Sequence, residues 1–408
     1  MALTCNPGPL YSTFYPPNLN STLYITNTTL YGTYDYCFMP HPRLLEYNLP
    51  EPVASGSVKA NLVYLHYIQR HQRRTAYNIL PGGENVKYNC SNIKPFLYAE
   101  PGDGVHAQQA LRVYAATYTD PANPFDDTYA DGTCQYPQLT IGGLMDGYQH
   151  GKDLWGVYSR KLGLFPKARP DRSTWFRSSE SPLTQGSAGG VLRGIWPHYN
   201  KLVPLHQQAS AIDTVNQGFS CDLRSTILSA IKSTALWNAS LTATASLLAS
   251  LSGYTQNESA WTSTFDHLED NFQARLCNGY GLPEPWNHYW RNNPNVTTYI
   301  QTVEGLFIGE ILDGFARCQN GSSNITYVDD FLHDGDIGAI AGALGITALR
   351  WPRYGKQYRF RGLLFACVLY SGQPISTIHG LLDWLPLQAL VAILQPFVPG
   401  DITALCDS

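Results

Sequence analysis

The stretch that begins at Val58 constrains this chain more than any other. KANLVYLHYIQ, residues 59–69, is a β-rich and nearly unbroken apolar run, and it ends without transition in the basic cluster Arg70, His71, Gln72, Arg73 and Arg74. A strand that feeds straight into a polar loop is where α/β proteins carry their chemistry, so the run predicts a buried strand with a site at its end. Two guanidinium groups flanking an imidazole suit a tetrahedral anion. Arg forks match pairs of oxygens, and a neutral imidazole nitrogen can attack phosphorus. Taken alone, such a loop reads equally as a solvated run of charge.

Downstream, periodicity separates helices from strands. Residues 138–165 place Leu144, Tyr148, Leu154, Trp155, Tyr158 and Leu162 at three- and four-residue steps, which predicts a helix stopped by Pro166. STWFRSSESPLTQGSAGGVLRGIWP reads as a short strand, a Ser-rich turn and a helix opening near Pro182, where a ring-locked φ suits the first turn. From about 206 to 320 the chain is rich in Ala, Leu and Ser, helical in character, and closes on the amphipathic TTYIQTVEGLFIGEILDGFARC. YVDDFLHDGDIGAIAGALGI follows as a strand or loop into a helix, and YRFRGLLFACVLYSGQPI as a buried strand. The order predicts an α/β fold, a central and mostly parallel sheet flanked by helices. Its α/β domain is expected in two stretches, 56–205 and 321–408, separated by an α-helical insertion domain at 206–320. Residues 1–55, rich in Pro, Tyr, Asn and Thr, read as an extended N-terminal arm.

Composition narrows the setting. With 27 basic against 31 acidic side chains and a net charge of −4, no nucleic-acid partner that needs a basic surface is expected. No apolar run is long enough to span a membrane, so no membrane partner is expected either. Nine cysteines run the length of the chain with no CxxC pair and no zinc-type spacing, so no metal is expected, and no motif calls for another cofactor. Eight N-x-Ser/Thr sequons, at Asn20, Asn27, Asn89, Asn238, Asn257, Asn295, Asn320 and Asn324, predict N-linked glycans. Cysteines and sequons together point to a disulfide-bonded protein of the secretory pathway. A leader is expected to have been removed and Met1 added, because MALTCNPGP has neither a basic start nor an apolar stretch. The odd cysteine count leaves at least one thiol, for which Cys367, inside LLFACVLY, is the candidate.

Four segments, in order, carry a family resemblance. RHQRRTA resembles the RHGxRxP signature of the histidine acid phosphatases, the branch of the histidine phosphatase superfamily that includes phytases. QLT with the later QH resembles that family's second element, FRSSESPLTQGSA its RSTDVxRTxxSA segment, and HDGDIGAIAGALGI its HDxxIxxLxxxLG segment. The resemblance covers roughly residues 58–400 and implies a phosphoglycerate mutase-like fold with a helical insertion. It implies His71 as the nucleophile that becomes a phosphohistidine, Arg70 and Arg74 as holders of the phosphate oxygens, His333 as a further phosphate donor, and Asp334 as the acid that protonates the leaving alcohol. By itself the His333–Asp334 pair also reads as a helix N-terminus capped by an acidic residue.

The departures matter as much. The family's phosphate-binding Arg in the third segment aligns with Leu183, while Arg177 aligns with an Arg the family does not use on phosphate. Gln72 replaces a Gly and Ala76 a Pro. Losing one preorganised cation from an anionic transition state costs on the order of a hundred- to a thousandfold in rate. Arg73 is the extra cation next door that could compensate if it points inward. Three functions therefore stand: a secreted phosphomonoesterase acting at acidic pH on an anionic small molecule, impaired by Leu183; the same fold redeployed to bind or transform a small organic, natural-product-like molecule, as in a fungal-type secretory pathway; or a binding or structural glycoprotein without catalysis, which would leave the retained catalytic side chains unexplained.

Overall fold

A ten-residue strand, β1 (Asn61–Arg70), is buried along most of its length because both of its faces are covered. The structure is a computed structural model. It describes residues 41–45, 47–79, 84–88, 90, 93, 96–97, 113–114, 120, 122–123, 130–132, 134–251, 259–264, 266–278, 305–346, 355–360, 363–370 and 373–407. After β1 come α1 (Ile141–Leu154), which continues as a π-helical segment over Trp155–Lys161, then β2 (Thr174–Ser178) and α2 (Pro182–Ile195). Among the described residues, helices α3 (Asp222–Lys232), α4 (Ala235–Leu251), α5 (Asp266–Cys277) and α6 (Gly305–Asn320) follow, with one further helical turn at Ser259–Thr262. The chain returns through β3 (Tyr327–Leu332), α7 (Asp334–Ala343), β4 (Gly355–Phe360), β5 (Leu363–Tyr370), β6 (Gln373–Pro374), β7 (Leu385–Pro386) and α8 (Leu387–Leu394).

The strands form a seven-stranded sheet in the order β6-β5-β4-β1-β3-β2, with β7 also on β5. The strands β2, β3 and β1 lie parallel, and β4 and β5 extend the sheet antiparallel. YRFRGLLFACVLY, read from sequence as one buried strand, is thus two, because β4 turns back on β5. In the parallel part Arg70 pairs with Leu332, and Ser178 with Phe331. Three adjacent strands therefore end at nearly one level, and their next residues, His71, His333 and Ser179, share one edge of the sheet.

Helix α6 covers one face. Its Phe307, Ile308, Ile311, Leu312 and Phe315 recur at helical spacing and join the main core, with Phe315 edge-on to Tyr64 of β1. So the last helix of the 206–320 block packs on the sheet, and at the block's start His206 bridges to Arg177 of β2. The opposite face is covered by α1, its π-helical extension and α2, where Tyr67 meets Tyr158 and His150. Polar side chains buried among the central strands pair with one another: His66 Nε2 lies 2.5 Å from Asp330, and Asp329 accepts from Gln69 Nε2 at 2.7 Å and from the Tyr327 hydroxyl at 3.0 Å.

Helices α1 and α2 meet through glycines spaced four apart, Gly147 and Gly151 against Gly190 and Gly194. A Cβ at Gly151 would stand 2.0 Å from the Val191 carbonyl oxygen, and one at Gly194 2.1 Å from that of Tyr148. Gly143, in the first turn of α1, likewise admits the loop after β1, since a Cβ there would stand 2.2 Å from Arg73 O.

Disulfides join Cys90 to Cys134 and Cys221 to Cys406, and Cys277 is also disulfide-bonded; Cys367, buried in β5, carries a thiol. Of the sequons, Asn238, Asn320 and Asn324 are exposed, whereas Asn20, Asn27, Asn89, Asn257 and Asn295 lie outside the described residues, as does the arm over residues 1–40. Among the described residues no helix is long and apolar enough to cross a membrane.

Candidate functional site

His71 follows β1 directly, and its N–H donates to Leu332 O at 3.0 Å, which continues the parallel ladder one residue beyond the strand. Its ring Nδ1–H donates to Gln72 O at 2.9 Å. That bond fixes the tautomer and leaves the lone pair on Nε2, a buried atom with no hydrogen-bond partner among the described residues. Burial, then the positive charges of Arg70 and Arg74, then His333, hold its pKa well below the ordinary value of 6.5, against a smaller opposing effect of the Gln72 carbonyl. A buried imidazole kept neutral among cations, with its free lone pair on the outer nitrogen, is poised to attack an electrophilic anion that those cations attract.

The basic cluster divides by role. Arg74 stays partly accessible: Nη1 donates to Thr75 O at 2.9 Å, Nη2 lies 2.8 Å from Asp270 of α5, and its guanidinium sits 4.2 Å from the centre of the Tyr77 ring. Arg73 goes elsewhere. Its Nε and Nη2 donate to the two oxygens of Asp146 on α1 at 2.5 and 3.0 Å, and Nη1 donates to Cys277 O at 2.9 Å. All three guanidinium nitrogens are therefore held by protein acceptors, and Gly142 leaves the room, since a Cβ there would stand 2.7 Å from Nη2. The expectation that Arg73 could replace the missing cation is corrected on that ground: it is a buried tie between loop, α1 and α5.

Gln72, in the place of a glycine, donates its backbone N–H to Ser187 Oγ at 2.9 Å, and Ser187 Oγ donates to Leu183 O at 2.9 Å. One hydroxyl thus couples the loop after β1 to the first turn of α2. Leu183, the second residue of α2, is 1% exposed. Ser181 caps this helix, accepting from Leu183 N–H at 3.3 Å, and Pro182 opens it. Arg177, near the end of β2, binds Glu310, Gln208 and Thr214 at 2.5, 2.6 and 2.6 Å, a brace between β2, α6 and the loop at 206–214.

His333 stands at the end of β3, its ring centre 5.5 Å from that of His71. Both of its nitrogens have protein partners: Ser179 Oγ lies 3.2 Å from Nε2, and the Tyr77 hydroxyl 3.3 Å from Nδ1. Thr184 Oγ1 directs its proton to backbone carbonyls, at 3.0 Å to Ser181 and 3.3 Å to Ser179, and so accepts from Ser179 Oγ at 2.8 Å. Ser179 then accepts from His333 Nε2–H, and Nδ1 accepts from Tyr77. His333 O accepts from Ile337 N–H at 3.4 Å and so precedes the first turn of α7, which Asp334 opens; the Asp334 side chain is outside those described.

The structure thus gathers Arg70, His71, Gln72, Arg74 and His333 at one edge of the sheet. It adds Tyr77, Ser179, Thr184, Asp146 and Asp270, which sequence reasoning did not single out. Ser179 and Thr184 lay inside a segment already recognised, but serine and threonine in a turn carry no signal of their own. Asp270 accepts from the backbone N–H of Tyr77 and Asn78 at 2.8 and 2.7 Å across nearly two hundred residues of sequence, a contact that no local pattern encodes. Among the described residues no three His, Cys, Asp or Glu side chains converge as metal ligands.

No family model matches the chain. An alignment 254 residues long, covering 56% of the chain, is 23% identical to counting factor 60 of Dictyostelium discoideum and spans 60% of that protein's length. Among solved structures, Hafnia alvei phytase in its apo form is similar over 85% of this chain and 98% of that one, with TM-score 0.51 and 12% identity. Klebsiella sp ASR1 phytase is similar over 84% and 99%, with TM-score 0.48 and 14% identity. The chain has the phytase-like histidine phosphatase fold, with parallel strands flanked by helices.

Proposed function

We propose that this phosphatase-fold protein hydrolyses small phosphomonoesters through a phosphohistidine on His71. The observation that carries the reading is the state of His71: Nδ1–H held by Gln72 O, Nε2 bearing an unshared lone pair, and a pKa depressed by burial and by Arg70 and Arg74. In the forward step Nε2 attacks phosphorus and the P–O ester bond breaks with its electron pair on the alcohol oxygen. Asp334, directly after His333, gives that oxygen its proton. Water then attacks phosphorus and returns a proton to Asp334; the P–N bond breaks, releasing phosphate and restoring His71. Asp334 must be protonated for the first step, which favours an acidic optimum. The depressed pKa keeps His71 neutral to lower pH than an ordinary imidazole, the direction that an acidic optimum requires.

Leu183 supports a slow enzyme, about a hundred- to a thousandfold below a site with one more guanidinium. The disulfides and the exposed Asn238, Asn320 and Asn324 support a secreted glycoprotein that takes an anionic small molecule. The test is hydrolysis of p-nitrophenyl phosphate and phytate from acidic to neutral pH, with His71→Ala as control. His71-dependent release is expected; its absence sinks the reading. Leu183→Arg is expected to raise the rate, and an unchanged rate in a folded variant would mean that position 183 does not serve the phosphate. The aliphatic Leu183 also favours a second reading, the fold redeployed to bind or transform a small organic molecule without phosphatase activity.

A further inference from the structure

Tyr77 is the residue at this site that neither the fold nor the proposed reaction requires. It is 42% exposed, yet it is tied at three points. Its backbone N–H donates to Asp270, its ring lies over the Arg74 guanidinium at 4.2 Å, and its hydroxyl donates to His333 Nδ1 at 3.3 Å. Arg74 and His333 are two of the groups that would hold an anion beside His71. Tyr77 therefore bridges both with one side chain and presents what remains of its ring at the mouth of the site.

Two consequences follow from that placement. An anion can draw a hydrogen bond from His333 Nδ1 only when that nitrogen takes up a proton and the Tyr77 hydroxyl gives up its place there, so the residue competes with every ligand. Among the described residues the cations that bear on His71 are Arg70 and Arg74, the latter shared with the Asp270 carboxylate, while Arg73 is held by Asp146. A flat apolar group entering at the mouth would meet the exposed part of the Tyr77 ring.

We propose that Tyr77 is a specificity-determining residue that makes this site select aryl over alkyl phosphate compounds, with its hydroxyl setting an affinity penalty on both. The inference deepens the anion-site reading and rests on it, but it concerns recognition and can be tested without turnover. Offset or edge-on ring contacts are worth enough to give a preference of a fewfold to about tenfold.

Binding of phenylphosphonate and of methylphosphonate, neither of which has an ester bond to break, is to be measured by calorimetry on the full chain and on Tyr77→Phe and Tyr77→Ala. The wild-type protein is expected to favour the phenyl compound by up to about tenfold. Tyr77→Ala is expected to erase that preference. Tyr77→Phe is expected to keep it while binding both compounds severalfold more tightly, because His333 Nδ1 is released. A phenyl preference that is absent from the wild type or survives in Tyr77→Ala overturns the proposal, as does a Tyr77→Phe protein with unchanged affinities or a wild-type protein that binds neither compound. If the preference holds while no His71-dependent hydrolysis is found, the recognition proposal stands and the phosphatase reading fails.

Discussion

Replacing Arg73 by Leu separates a structural cation from a phosphate-binding one. Arg73 and Asp146 are 5% and 1% exposed, their two contacts are 2.5 and 3.0 Å long, and a third bond runs from Arg73 to Cys277 O. Removing one partner leaves a carboxylate buried without its counter-charge, which costs about 3–5 kcal/mol. The double variant Arg73→Leu/Asp146→Leu removes the orphaned charge as well. It should recover most of that loss, leaving about 1 kcal/mol for the lost bond to the Cys277 carbonyl. Urea unfolding of wild type, both single variants and the double variant at neutral pH gives the four corners of this cycle, with an expected coupling of at least about 2 kcal/mol. Orthophosphate competition in the folded fraction should be little changed. An Arg73→Leu protein that unfolds at the wild-type midpoint but binds orthophosphate tenfold more weakly would refute the reasoning, because the guanidinium would then be acting on the anion.

Other expectations follow from the same geometry. His71 has a folded-state pKa well below its unfolded value of 6.5, so its contribution to stability is intact above that pH and is lost as pH falls, because only the unfolded chain takes up the proton. The stability difference between wild type and His71→Asn should shift against the wild type by about 1.4 kcal/mol per pH unit below 6.5; parallel pH profiles would contradict it. Gly194→Ala, whose new methyl would meet the Tyr148 carbonyl at 2.1 Å, should destabilise by about 3 kcal/mol or more. Gly189→Ala, with nothing within 4 Å, should be neutral or stabilising by up to about 1 kcal/mol, and equal thermal shifts for the two would mean that α1 and α2 are not packed backbone to backbone.

Much of the framework was legible because it is written locally. The apolar run of β1 ending in charge, the Pro182 start of α2 and the strand-to-helix step at His333 each follow from periodicity and helix-start chemistry within a few residues. What was not legible depends on distance. Arg73 and Arg74 are identical in type and adjacent in sequence, yet one is captured by Asp146 and the other bears on His71. That division is decided by α1 and by the glycines that let it approach. Helix α6 looked like part of a separate lobe because its amphipathic pattern does not say which surface it covers, and the sheet supplies that surface. Tyr77 resembled any other tyrosine until Asp270, Arg74 and His333 were seen around it.

The most direct test of the account is the covalent intermediate. A substrate phosphomonoester mixed with the protein at acidic pH and quenched rapidly into alkali, where phosphohistidine survives, should yield on peptide mass spectrometry a phosphoryl group on His71. It should be more abundant in a variant with Asp334→Asn and a good leaving group, because return of the proton from water is slowed. Phosphate release that proceeds normally in His71→Ala, or a phosphoryl group found on any other residue, would contradict it.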